Sequence, residues 1–187
     1  MSTLARTRCF TVDEYHRMGE AGILTEDDRV ELIAGEIIER TPVGPLHAAT
    51  VARLHRLFVE RLGPRAVVWG QNPVRLAAEG SEPQPDLALL RPRPDHYAGA
   101  LPEGADVVLL VEVMDTSAAY DRRVKLPLYA RAGIAEVWLV DLDARTLEVH
   151  RAPQRGVFGE THIAEREGTL APAAFPDVAF AVAELLG

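Results

Sequence analysis

The run from Val107 to Met114 reads Val-Val-Leu-Leu-Val-Glu-Val-Met, apolar everywhere except at Glu112. A continuous apolar run, without polar alternation, describes a strand covered on both faces, and so a central strand of a sheet with helices on either side. A second such run, Glu136 to Asp141, follows a stretch of helical character from Ala118 to Ala132 that Gly133 closes in the C′ position. Strand, helix and strand in that order predict a right-handed β-α-β crossover and a parallel pair. Pro127 falls inside the predicted helix, where it would cost about 3 kcal/mol, so a late start, a kink or an irregular turn is expected there.

The remaining chain supplies a mixed sheet. Thr11-Val-Asp-Glu14 is a capping box for a short helix ending near Gly19 to Gly22. Val30 to Ile33 and Ile37-Ile38 flank Ala34-Gly35 as a tight β-hairpin. Leu46 to Leu62 places Val51, Leu54, Leu57, Phe58 and Leu62 on one helical face before Gly63-Pro64 stops it. Val67 to Trp69, Pro73 to Ala77 and Asp86 to Leu90 read as strands, and Thr146 to His150 as the hairpin partner of Glu136 to Asp141. The proline- and glycine-rich link from 91 to 106 reads as a loop inserted near the active face. Beyond Pro153 the pattern weakens until Val178 to Val182, which alternates like a short edge strand. The expected fold class is α/β (α+β): one domain over residues 1–187, a mixed central β-sheet flanked by helices, with an N-terminal helix and β-hairpin.

The chain is 187 residues long, enough for a single continuous core. No apolar run approaches the length of a membrane helix, and the first ten residues lack the apolar core of a signal peptide. Cys9 is the single cysteine, which excludes an internal disulfide, and zinc-type spacing is absent. A cytoplasmic protein is expected, with no membrane partner. The net charge of −8 argues against a broad phosphate-gripping surface, though not against a local basic strip.

Against this background the ionisable residues in the apolar strands stand out. Asp86, after Pro85, opens one strand, and Glu112 interrupts another. Ionised carboxylates in such positions carry a large desolvation penalty unless paired, hydrogen-bonded or bound to a metal. Asp86 by itself is equally well read as a strand-entry turn residue. Glu112 has no solvated face to occupy and is the stronger site candidate. Lys125, on the following helix, either swings its ammonium over the strand ends or forms a surface pair with Asp121, four residues earlier. Two carboxylates and an amine are the equipment of a magnesium-dependent phosphodiesterase. Asp86, Glu112 and a backbone carbonyl, that of Val113, suffice for magnesium, which prefers oxygen ligands and keeps several waters; manganese would substitute. The lysine would orient or deprotonate water, or offset charge in the transition state.

These residues sit in segments that resemble a known family. Arg29 to Ile38, Thr41 to His47, Gln71 to Leu76, Glu82 to Leu90, Leu110 to Ser117, Tyr120 to Gly133 and Glu136 to Asp141 follow one another in family order over nearly the whole chain. Together they are similar to the Uma-type restriction-endonuclease family within the PD-(D/E)XK nuclease superfamily. The resemblance implies a restriction-endonuclease-like fold, with Asp86 as the motif aspartate and Glu112 as the motif glutamate. The superfamily usually places lysine two residues after that glutamate, where this chain has Met114. Branches in which the lysine has moved to the following helix match Lys125, and Pro127 belongs to the same pattern.

Glu31 and His47 match further recurrent positions. Glu31 either adds a carboxylate to the metal site or is a surface residue of the hairpin. His47 either contacts phosphate or a metal-bound water, or is a helix N-terminal histidine without chemistry. Gln84 is placed to orient water. The implied activity is metal-dependent cleavage of DNA, with RNA as a further substrate class. By analogy with nucleases that pair subunits to cut two strands, a homodimer is expected. The alternative, motivated by the acidic balance, is a nuclease-fold binding or regulatory module with little autonomous activity.

Overall fold

The computed structural model describes residues 7–25 and 27–187, so the N-terminal reading lies partly outside the described residues. In chain order the elements are α1 (Val12–Glu20), β1 (Val30–Ile33), β2 (Glu36–Glu39), α2 (Pro45–Leu62), β3 (Val67–Gly70), β4 (Leu87–Leu90) and β5 (Val107–Met114). Then come α3 (Ala118–Tyr120), a π turn over Asp121–Lys125, α4 (Leu126–Arg131), β6 (Glu136–Asp141), β7 (Thr146–Gln154) and β8 (Val157–Ala164). Two short strands, β9 (Thr169–Leu170) and β10 (Phe180–Ala181), and the helix α5 (Val182–Leu186) complete it.

The central sheet has six strands in the order β3-β4-β5-β6-β7-β8. β5 and β6 pair in parallel, as the strand-helix-strand reading requires, and every other pair in this sheet is antiparallel. Every residue of β5 and β6 is buried. The period of two divides their side chains between two apolar layers. On one face Leu109, Val111, Val113, Trp138 and Val140 pack with Leu54, Leu57 and Phe58 of α2 and with Leu185 of α5. On the other, Leu110, Met114, Val137 and Leu139 pack with Leu128 and Tyr129 of α4. Glu112 shares the second face, which aims it at the α3–α4 segment.

Local chemistry explains the terminations. Thr11 and Glu14 close a reciprocal capping box at the start of α1. Pro45 begins α2 at a position whose N–H needs no partner. The β1–β2 turn holds Ala34 and Gly35 at positive φ. At Gly35 φ is +80°, and a Cβ would come within 2.4 Å of the Cys9 Cβ, so only glycine fits this turn.

Several expectations need correction. Pro73 to Ala77 forms no strand of the sheet. It makes only isolated bridges, at Arg75 to Glu103 and Leu76 to Ser81, before a 3-10 turn over Ala77–Glu79. Pro73 has no N–H for a ladder, and Gly80 in the left-handed region turns the chain back. Asp86 precedes its strand, which starts at Leu87. The helix after β5 is broken by the π turn. β7 runs on to Gln154, and its partner β8 was missed because it is an exposed edge strand whose polar pattern, Gly-Glu-Thr-His, carries no core-facing alternation. Of Val178 to Val182 only Phe180–Ala181 is strand, after which the chain turns helical. Finally, no residue of the 91–106 loop lines the cleft described below. The loop joins the far ends of β4 and β5, where Tyr97 packs against Trp69.

Candidate active site

The antiparallel register of β4 and β5 sets Leu87 opposite Val111 and Ala88 opposite Leu110. One step further along the same register, Asp86 falls opposite Glu112. Both are buried, 6 % and 3 % exposed, at the rim of a cleft of about 260 Å³. Glu31, His47, Gln84, Val113, Asp121 and Lys125 line the same cleft, so the structure brings together every residue singled out in the sequence. They come from the hairpin, the start of α2, the approach to β4, the end of β5 and the π turn.

The two carboxylates are tied through the backbone. The Asp86 N–H donates to Glu112 Oε2 at 3.3 Å, and the Val113 N–H donates to Asp86 Oδ2 at 2.8 Å. His47 Nε2 lies 3.1 Å from the same Oδ2. The hydrogen bond His47 donates to Asp86, and the charge of that carboxylate, raise the His47 pKa against the opposing effect of burial, favouring the imidazolium. Glu112 Oε1 accepts from the Tyr129 hydroxyl at 2.6 Å and lies 3.3 Å from Lys125 Nζ. Burial pushes the Glu112 carboxyl up to about 8 despite the nearby ammonium.

Lys125 is no surface residue. Its ammonium is held between Glu112 and Glu31, the latter at 3.2 Å. Burial works against its charge, but Glu112, Glu31, Asp121 and Asp86 together outweigh it, and the pKa rises above the ordinary lysine value. The proposed surface pair with Asp121 is therefore replaced: Asp121 is buried and accepts from Ser117 Oγ at 2.5 Å. Glu31 is likewise buried, at 3 %, and its Oε2 accepts the Gln84 N–H at 3.0 Å. The Gln84 side chain is engaged by Arg40, whose guanidinium donates to Oε1 at 2.6 Å.

Sequence reasoning missed Tyr129 and Tyr120. Tyr129 follows Lys125 by four residues, so helical spacing alone placed it on the same face. Tyr120 lies five residues before Lys125 and reaches the cleft only because the intervening turn is a π turn.

Among the described residues, no three His, Cys, Asp or Glu side chains form a ready-made cation cage. A metal here would rest on the Asp86–Glu112 pair, water and backbone. The residues fit a hard cation on two observations. The hydrogen bonds Asp86 receives from described residues both fall on Oδ2, leaving Oδ1 unclaimed. Four carboxylates, those of Glu31, Asp86, Glu112 and Asp121, also surround a single ammonium.

No curated protein is recognisably similar to the chain in sequence. In fold it is similar to the crystal structure of a putative nuclease belonging to DUF820 from Anabaena variabilis, with a TM-score of 0.72 at 18 % identity, covering 95 % of this chain and 97 % of that one. A likeness at this identity establishes the shared fold. The family follows from the sequence itself, which matches the model of Uma2, described as "Putative restriction endonuclease", over residues 12–183. With nearly all of its length inside that match, the chain belongs to the Uma2 family, and its mixed sheet is that of a nuclease-like domain.

Proposed function

We propose that this protein is a metal-dependent endonuclease that hydrolyses phosphodiester bonds in DNA. One observation carries the reading: Asp86, just before β4, and Glu112, in β5, are hydrogen-bonded to one another at the rim of one cleft, with the Lys125 ammonium 3.3 Å from Glu112. Asp86 and Glu112, with the Val113 carbonyl, are the residues that would hold magnesium, or manganese in its place. When bound, the ion polarises the phosphoryl group and acidifies an attacking water.

The chain's own groups do the rest. Lys125 is held protonated, so it acts as a fixed positive charge against the developing phosphorane rather than as the base. Glu31 anchors that ammonium, and the Gln84 backbone anchors Glu31. His47 and the Val113 N–H fix Asp86, while Tyr129 and the Asp86 N–H fix Glu112. Glu31, His47 and Gln84 are thus positioning residues in this scheme. The reading extends to a cytoplasmic location, in keeping with the free Cys9, and, by analogy with nucleases that pair subunits to cut two strands, to a homodimer.

The test is cleavage of plasmid DNA, and of RNA in parallel, with magnesium, with manganese and with chelator, alongside light scattering for the dimer. Cleavage that requires the ion and is lost in Asp86→Ala and Glu112→Gln, both still folded, is the expected result. Metal-independent cleavage, or full activity in both variants, would sink the reading. A second reading, a nuclease-fold binding or regulatory module, is favoured by the net charge of −8. Calorimetry separates the two, since the module needs no divalent ion.

A further inference from the structure

Tyr120 ends α3 and lines the same cleft as Asp86, Glu112 and Lys125. Its hydroxyl oxygen is buried and has no hydrogen-bond partner among the described residues. Buried polar atoms are nearly always satisfied, so an orphaned hydroxyl in the wall of a cleft calls for a partner from outside the chain.

The backbone shows how the hydroxyl comes to be there. Across Asp121–Lys125 the helix widens to a π turn, marked by the Leu126 N–H donating to the Asp121 carbonyl. In an α-helix, side chains five residues apart point about 140° away from one another. Tyr120 and Lys125 would then face different surroundings, whereas in the wider turn both reach one cleft. Pro127 supplies a local reason for the wider turn, because its ring clashes with the carbonyl four residues back in a regular helix. The cost of the irregular turn is borne where it brings Tyr120 beside Lys125, and such turns recur at functional sites.

The surroundings define the partner's chemistry. Burial and the carboxylates of Glu31 and Asp121 push the phenol up to about 12, so at neutral pH it is a proton-bearing donor. A donor without an acceptor among the described residues complements an oxygen atom of an entering anion. We propose that the Tyr120 hydroxyl donates a hydrogen bond to a non-bridging phosphate oxygen of the nucleic-acid strand, beside the Lys125 ammonium. The proposal deepens the nuclease reading and rests on it for the identity of the anion.

Tyr120→Phe removes the hydroxyl and no hydrogen bond among the described residues. Thermal stability and manganese affinity are therefore expected to stay unchanged. Affinity of the manganese-loaded protein for thymidine 3′,5′-bisphosphate, which carries phosphate but no phosphodiester, should fall about tenfold by calorimetry, with a similar loss in kcat for DNA. Equal bisphosphate affinity in the two proteins overturns the proposal, as does failure of the parent to bind it. A lowered Tm with unchanged bisphosphate affinity marks a structural role and overturns it as well. If the parent binds the bisphosphate but leaves DNA uncut, the tenfold difference still upholds the phosphate contact, so the two readings fail separately.

Discussion

Asp86 and Glu112 hold one another through reciprocal backbone bonds: the amide of Asp86 donates to the Glu112 carboxylate, and the amide that follows Glu112 donates to the Asp86 carboxylate. Their spacing is thus set by the β4–β5 register rather than by flexible side chains. A site whose geometry comes from strand pairing is rigid before any ligand arrives, the condition for electrostatic catalysis.

Replacing Glu112 by glutamine separates stability from function. The buried carboxyl is costly to ionise, while the amide keeps one oxygen, which can accept from the Tyr129 hydroxyl on the Oε1 side but not also from the Asp86 N–H on the Oε2 side. The Tm of Glu112→Gln is expected to stay within a few degrees of the parent, since relief from ionising the buried carboxyl offsets the lost Asp86 bond, with DNA cleavage down by at least about 100-fold. Differential scanning calorimetry and a plasmid-nicking assay on the same preparation check both halves.

Lys125→Met should do the reverse to the fold. It leaves Glu31 and Glu112 buried without their shared cation, a loss of about 3–5 kcal/mol. Urea unfolding measures it. Adding Glu31→Gln to the same chain should restore part of that loss, because the buried carboxylate that had lost its cation is then a neutral amide. An unchanged midpoint in Lys125→Met would contradict the buried pairing.

Tyr129→Phe tests the support beneath Glu112. The 2.6 Å bond to Oε1 is lost and nothing apolar is removed, so stability should fall by about 1–2 kcal/mol. Cleavage should drop, but by less than in Glu112→Gln, since the carboxylate itself remains. Activity equal to that of the parent would show that Glu112 needs no such support.

Acid sensitivity should arise in part away from the cleft, at His150. Burial lowers its pKa below the ordinary 6.5, despite the bond to Glu148, so the fold favours the neutral ring. A depressed folded value means that its contribution to stability is present above the unfolded value and lost as pH falls through the folded one. Tm should therefore decline on acidification below about 6.5, and His150→Gln should flatten that part of the profile. Parallel profiles for the two proteins would refute the assignment.

How much was legible beforehand differs by element. Val107 to Met114 and Glu136 to Asp141 were bounded correctly because both faces of each strand are covered, and an all-apolar run has few alternatives. β8 was invisible for the opposite reason: at a sheet edge its side chains meet water, and pairing rests on backbone hydrogen bonds that any residue can make. Asp86, Glu112 and Lys125 could be singled out as candidates because charge in an apolar setting is conspicuous, and the structure places all three, buried, in one cleft. Tyr129 and Tyr120 were not singled out, since tyrosines on a helix read as ordinary packing.

By itself, the sequence determined the parallel strand pair, the α2 core face and the presence of charged groups in apolar strands, because burial leaves its mark on local composition. Only the tertiary structure decided that Glu31 and His47 turn inward, that Asp121 pairs with Ser117 and not with Lys125, and that a π turn carries Tyr120 into the cleft. Those outcomes depend on register and on a helical turn widened by one residue. A one-step change in either rotates a side chain from solvent into the site without altering any residue.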